Sequence, residues 1–423
     1  MQTTFEKHRP SEDYSVSENE DQHVFKQRTT TNSSVDVSVV VPVYNGEKEI
    51  EECLARIRCS RDCSFEIVVA NDASTDRTAE IAERMGARVI TLEEQSGPAA
   101  ARNRAISACR GDLIVFVDCD VRIAEDTLQQ FKTQFEKNDW VAAFGSYDQN
   151  PKVGNLVSAY KNLMHHFFHQ RSARAAQTFW SGCGAVRKSA FEQTGGFNEQ
   201  FARPSIEDIE FGMRLTESGR SIGSLPHIQV QHTKRWTLRN LVYTDVFLRG
   251  IPWTRLMLRA GNLQNDLNVS GTQRACVFIA GLIVVALALV AWFQPAVILM
   301  PIPFIALLQI ADRPEHHRGI RRYARWLVAM LLPLLTACCI AWQPLLAVVF
   351  LGVLAIGLIN HASLRFLMNV NGIPFAILCL PLHVIYYIYC GFSFAAGNLY
   401  HLFGKPFFTE TQVEQDAQMP ELA

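Results

Sequence analysis

Between residues 37 and 148 two kinds of segment alternate along the chain. Short apolar runs, VSVVVPVYN from Val37, FEIVVAND from Phe65, ARVITL from Ala87, LIVFVDCD from Leu113 and WVAAFGSYD from Trp140, are near-continuous and rich in β-branched side chains. A strand buried on both faces reads this way. The stretches between them space their apolar residues differently, as Ile50, Leu54 and Ile57 do in EIEECLARI, and that period belongs to a helix with one covered face. Pro98 stands where a helix can start and Gly111 where one can stop, following the usual asymmetry of those residues. This alternation predicts an α/β domain with a mostly parallel sheet and helices on both faces.

After Arg274 the pattern changes. Residues 276–310 and 326–360 are two runs without a charge, each with an A-W-(F)-Q-P element near its middle, at 291–295 and 341–344. One crossing needs about 20 apolar residues, so each run is read as a helical hairpin that turns at its proline. A last apolar stretch, 373–396, adds one crossing, which Pro381 is placed to break. The expected organisation is therefore a disordered polar extension over 1–34, a soluble domain over 35–235 and an amphipathic interfacial segment over 236–274. A transmembrane region of about four to five helices follows over 275–403, and a polar tail over 404–423. Arg313, Arg318, Arg321, Arg322 and Arg325 join the hairpins, whereas the Q-P turns carry no cation. Positive loops stay inside, which puts that loop and the soluble domain in the cytoplasm of a multi-pass protein of the bacterial inner membrane.

The whole chain has 423 residues and a formal net charge of -1, which argues against a nucleic-acid partner. Its 11 cysteines are odd in number and form no CxxC pair, so free thiols are expected rather than a disulfide framework. Three polar clusters end the apolar runs: Tyr44-Asn45 just after Pro42, Asn71-Asp72, and Asp118-Cys119-Asp120. In a parallel sheet, ligands bind beyond the carboxyl ends of the strands. Singly, each cluster is also what a turn after a strand looks like. No glycine-rich phosphate loop is present. An acid-lined rim would then meet phosphate through a shared divalent cation, Mn²⁺ or Mg²⁺, seated at Asp118 and Asp120.

The ordered set VSVVVPVYNGEKEIEECL, NDASTDRT, GPAAARNRAI, GDLIVFVDCDV, GGFNEQF and IEDIEFGMRL resembles family 2 glycosyltransferases with the A-type nucleotide-sugar-binding fold, over roughly residues 35–250. The resemblance implies an inverting sugar transfer from a UDP, GDP or dTDP type donor. It assigns Pro42, Tyr44, Asn45 and Asp72 to the nucleotide side, Arg102 to the donor site as a cation, and Asp118 and Asp120 to the D-x-D pair. Asp208 resembles the general base, with Glu207 positioning its neighbour or the acceptor, although an acidic helix start is also favourable in itself. His232 stands where family members often add a metal ligand, and where processive synthases carry Q-x-x-R-W. Trp180, Arg235 and Trp236 fall on the acceptor side. Arginines and apolar residues mix over 236–261, a profile suited to the headgroup layer and to a lipid or lipid-linked acceptor. The alternatives are a processive polysaccharide synthase and a non-catalytic nucleotide-sugar-binding membrane scaffold.

Overall fold

A computed structural model describes residues 35–261, 271–293 and 344–403. In chain order these form β1 (Val37–Val43), α1 (Ile50–Arg58), β2 (Phe65–Asn71), α2 (Thr78–Arg84), β3 (Arg88–Thr91), α3 (Pro98–Ile106), β4 (Leu113–Val117), β5 (Val121–Arg122) and α4 (Thr127–Lys137). Then come β6 (Ala142–Tyr147), α5 (Leu156–His169), β7 (Ala175–Ala176), β8 (Cys183–Arg187), α6 (Lys188–Thr194), α7 (Glu207–Glu217) and β9 (Ile222–His232). The rest is helical: α8 (Leu238–Tyr243), a π-helical turn (Thr244–Gly250), α9 (Ile251–Ala260), α10 (Gly271–Phe293), α11 (Pro344–Ile359), α12 (His361–Asn371) and α13 (Ile373–Leu402).

The strands form one mixed, mostly parallel sheet in the order β3-β2-β1-β4-β8-β6-β9-β5, with β7 on β9. β1, β2, β3 and β4 run parallel, whereas β8 is inserted antiparallel between β4 and β6. Side chains alternate across a strand, and the β1 and β4 runs divide accordingly. Val37, Val39, Val41, Leu113, Val115 and Val117 pack with α1, α2 and α4 on one face. Val40, Ile114 and Phe116 pack with α3, α6 and α7 on the other. Five rings, Phe116, Phe179, Phe191, Phe197 and Phe211, interlock on that second face at centroid distances of 4.9 to 6.2 Å.

Where it is described, the apolar C-terminal pattern is helical, as expected, in α10, α11 and α13. α13 runs unbroken through Pro381. Leu378, Cys379 and Leu382 pack around that position against Leu156, Tyr160 and Leu163 of α5, and this packing outweighs the lost backbone bond. α11 ends with the second run, at Ile359, and after Asn360 the chain bends by 75° into α12. Both Q-P turns, the arms 294–310 and 326–343, and the arginine loop lie outside the described residues, as do 1–34 and 404–423. Among the described residues two helices, Gly271–Trp292 and Ile373–Leu402, are long and apolar enough to cross a membrane, or three if the bent pair counts as one. All nine described cysteines are free.

Candidate active site

β1, β2 and β4 lie side by side and parallel, with Val43 opposite Asn71, so the loops that follow them open at one edge. Pro42 is buried near the end of β1, opposite Ala70. Asn45 has φ 48°, a left-handed backbone that Asn tolerates better than most residues. Its side-chain oxygen accepts the Thr75 N–H at 2.8 Å, and its own N–H donates to Ser74 Oγ at 2.9 Å. Half-buried Tyr44 sits beside this tie. Asp72, 4% exposed, accepts the N–H groups of Ser96 at 2.8 Å and Gly97 at 2.9 Å, one on each oxygen. Gly97 takes φ 90°, and a Cβ there would strike the Ala202 backbone. Only glycine fits.

The two aspartates of the third loop meet different partners. Asp118 Oδ1 accepts from one arm of the Arg102 guanidinium at 2.8 Å, and the other arm donates to Glu207 Oε1 at 3.0 Å. Asp120 Oδ2 lies 3.5 Å from His232 Nε2. The His232 ring lies flat on Tyr147, with centroids 4.3 Å apart and planes 15° apart. The Thr233 N–H and hydroxyl both donate to the Asp120 carbonyl, at 2.9 and 3.0 Å. Burial alone would raise the Asp120 carboxyl, but His232, then Lys234 and Arg122, hold it well below the usual range. Asp118 is pushed the other way, up, because burial outweighs the pull of Arg102.

Among the described residues, no three His, Cys, Asp or Glu side chains are gathered closely enough to hold a metal by themselves. The chemistry of the donors still suits a hard dication. Asp118 and Asp120 are 35% and 28% exposed, so their oxygens face an accessible edge, with the buried His232 imidazole behind Asp120. Small dications complete such partial sets with substrate phosphate oxygens.

α7 supplies the remaining carboxylates. Glu207 is 4% exposed; it takes Arg102 on one oxygen and the Ser205 N–H on the other, at 2.8 Å. Asp208 Oδ2 accepts the Ser181 N–H at 3.0 Å and the Ser181 hydroxyl at 3.2 Å. Burial first, and then the negative charge of Glu207, push the Asp208 carboxyl up to about 6. Gly212, one turn further along α7, makes this approach possible, because a Cβ there would run into the backbone of Thr178 and Phe179.

Arg102 therefore draws Asp118, Glu207 and, through the helix, Asp208 into one network. Asp120, His232 and Tyr147 form a second, which half-buried Trp180 joins edge-on to Tyr147 at 4.9 Å. Asn45 and Asp72 brace the first two loops. Trp236 is 3% exposed and packs on Val157 and Leu241 inside the protein, while Arg235 is exposed. Sequence reasoning missed Ser181, Ser205 and Tyr147. Ser181 was visible as a polar residue inside WSGCG, and Tyr147 as the aromatic end of a strand, but neither declares its partner.

Residues 38–195 match the family model described as Glycosyl transferase family 2, and residues 162–237 match one described as N-terminal domain of galactosyltransferase. Residues 38–195 are thus similar to glycosyltransferase family 2 domains. Over 116 residues it is 33% identical to the glycosyltransferase GlyG of Streptococcus pneumoniae, covering 26% of this chain and 38% of that protein. Over 197 residues it is 38% identical to an uncharacterized protein of Mycobacterium tuberculosis, covering 42% of this chain and 61% of the other. The chain spans 38%, 35% and 18% of the length of three curated glycosyltransferases that it matches. Among solved structures, the mannosyltransferase PcManGT of Pyrobaculum calidifontis, in complex with GDP-Man and Mn²⁺, aligns at 17% identity and a TM-score of 0.45. That alignment covers 88% of this chain and 89% of the other. Asp72, Asp118 and Asp120 all lie inside the residues that match the family 2 model.

Proposed function

We propose that the protein is an inverting glycosyltransferase at a membrane, moving a hexosyl-type sugar from a nucleoside diphosphate to a lipid or lipid-linked acceptor. One observation carries the reading: a single buried arginine, Arg102, is bonded to both Asp118 and Glu207, which sets the D-C-D turn against the helix that bears Asp208. Asp208 takes the acceptor proton as the acceptor oxygen attacks the anomeric carbon, a role that needs a carboxylate ionised near neutral pH. Glu207, with both oxygens occupied, positions it. The braced loops at Asn45 and Asp72 form the nucleotide wall. Asp118, Asp120 and His232 would hold Mn²⁺ or Mg²⁺, which supplies charge stabilisation to the departing diphosphate.

Support for the membrane comes from where apolar surface remains. Among the described residues Phe247 is the one large apolar side chain exposed before Gly271, whereas Phe278, Trp292, Leu351, Leu358, Phe392 and Leu402 are exposed on α10, α11 and α13. A domain over 35–235 with its site facing the cytoplasm, joined to a multi-pass region, accounts for this distribution.

The test uses purified protein in detergent with a panel of UDP-, GDP- and dTDP-sugars. One donor is expected to raise the melting temperature, more so with Mn²⁺ than with chelator. Asp208→Asn is expected to bind that donor and transfer nothing. Full transfer by Asp208→Asn would overturn the reading; loss of transfer together with donor binding would point to a misfolded site.

A further inference from the structure

Asp245 lies in the π-helical turn, outside the network described above, and is 8% exposed. Three elements converge on its carboxylate. Lys161 of α5 donates to both oxygens, at 2.9 and 2.7 Å, and the Tyr389 hydroxyl of α13 donates to one of them at 2.7 Å. Arg249, four residues on in the same turn, reaches it at 3.4 Å. The backbone around it is equally closed. A Cβ on Gly250 would meet the Ser393 hydroxyl of α13, and one on Gly397 would meet Thr254 of α9.

This turn is also tied to the candidate base. The Ser205 hydroxyl donates to the Leu248 carbonyl, and the Ser205 N–H donates to Glu207. Arg249 interacts electrostatically with Asp208, Glu207 and Tyr147 as well as with Asp245. A π-helical turn is a rare form that recurs at functional positions, and here it puts an anchored carboxylate and a guanidinium between the apolar helices and α7.

We propose that Asp245 is a positioning residue for the transfer reaction. Gripped by Lys161 and Tyr389, it fixes the turn whose Leu248 carbonyl holds Ser205 under Glu207, and it pairs with Arg249, a cation whose charge reaches Asp208 through space. This deepens the reading of Asp208 as the base and rests on it. The charged and titratable groups facing Asp245 are Lys161 and Tyr160 from α5, Tyr386, Tyr389 and Cys390 from α13, and Arg249 from its own turn. Those facing Asp208 are Glu207, Arg102 and Arg249. Burial would raise Asp245, but Lys161 and then Arg249 hold it below the usual carboxylate range, so it is an anion throughout the working pH.

The experiment is the pH profile of kcat/KM for sugar transfer by the full chain in detergent. Asp245→Asn removes a negative charge and releases Arg249 toward Asp208. Both effects favour the ionised base, so the acid limb is expected to move to lower pH, with kcat down about tenfold and donor KM unchanged. Asp245→Glu is expected to bring the limb back, and Arg249→Gln to move it the opposite way, to higher pH. Tyr389→Phe keeps every charge; it is expected to lower kcat while leaving the limb in place. Should Asp245→Asn fail to fold, Arg249→Gln and Tyr389→Phe carry the test.

An unshifted limb in Asp245→Asn and Arg249→Gln, with rates that merely track the folded fraction, would overturn the proposal and leave Asp245 a structural tie. Asp208→Asn measured alongside keeps the two questions apart. Activity there removes the base assignment itself, whereas an inert Asp208→Asn with unshifted limbs removes only the role of Asp245.

Discussion

Asp208 owes its raised proton affinity first to burial and second to the anion beside it, Glu207. The sign of each perturbation follows. Below about pH 6 the carboxyl is protonated and cannot accept the acceptor's proton, so kcat/KM should fall about tenfold per pH unit on that side. Glu207→Gln takes away the repelling charge and leaves Arg102 nearer to Asp208 alone; both favour the ionised form. The acid limb should therefore move to lower pH, and a limb that moves upward would contradict the assignment. Arg102 makes a prediction of a different kind. Its side chain and that of Glu207 are 4% and 6% exposed. Arg102→Met strands a buried anion, which should destabilise the protein by about 3–5 kcal/mol in urea titrations, while Arg102→Lys restores the charge without the two-armed geometry.

At the scale of elements, α7 reaches the site because Gly212 offers no side chain to the 178–179 backbone. Gly212→Val should push α7 outward and break the Ser181 bonds to Asp208. Transfer is expected to drop about a hundredfold or more, with donor affinity retained; equal loss of both would mean that the helix is displaced wholesale. Elements also explain what could be read in the sequence. β1, β2 and β4 announce themselves because strands covered on both faces must be apolar at every position. β8 and β9 do not: CGAVR is short and built of small residues, and IGSLPHIQVQH carries a proline and alternating polar positions. The D-C-D turn was legible as a motif, but the Arg102 bridge from it to Glu207 was not, because Glu207 lies 105 residues from Arg102 and only the folded sheet brings α3 beside α7. Pro381 misled for a related reason: local chemistry predicts a break there, and packing against α5 removes it.

At the scale of the whole molecule, the sheet domain and the apolar helices share a core. Leu156, Tyr160 and Leu163 of α5 are buried with Leu367 of α12 and with Phe375, Leu378 and Leu382 of α13. A chain ended at Gly261 would bare that face of α5, and contiguous apolar surface of this kind drives association. Such a truncated protein is expected to sediment as aggregates in detergent-free buffer. Recovery of a monodisperse, donor-binding species would show instead that the sheet domain stands alone.

The 75° bend after Asn360 has a consequence for the choice of acceptor. α12 leaves the line of α11 and lodges against α5, where Phe366 stacks on His166. Under the proposed membrane reading such a helix would act as a float, setting the depth at which the candidate rim rides. Acceptors whose reactive oxygen lies level with that rim would then be served, and those seated deeper or held higher on a longer stalk passed over, however well their sugars match.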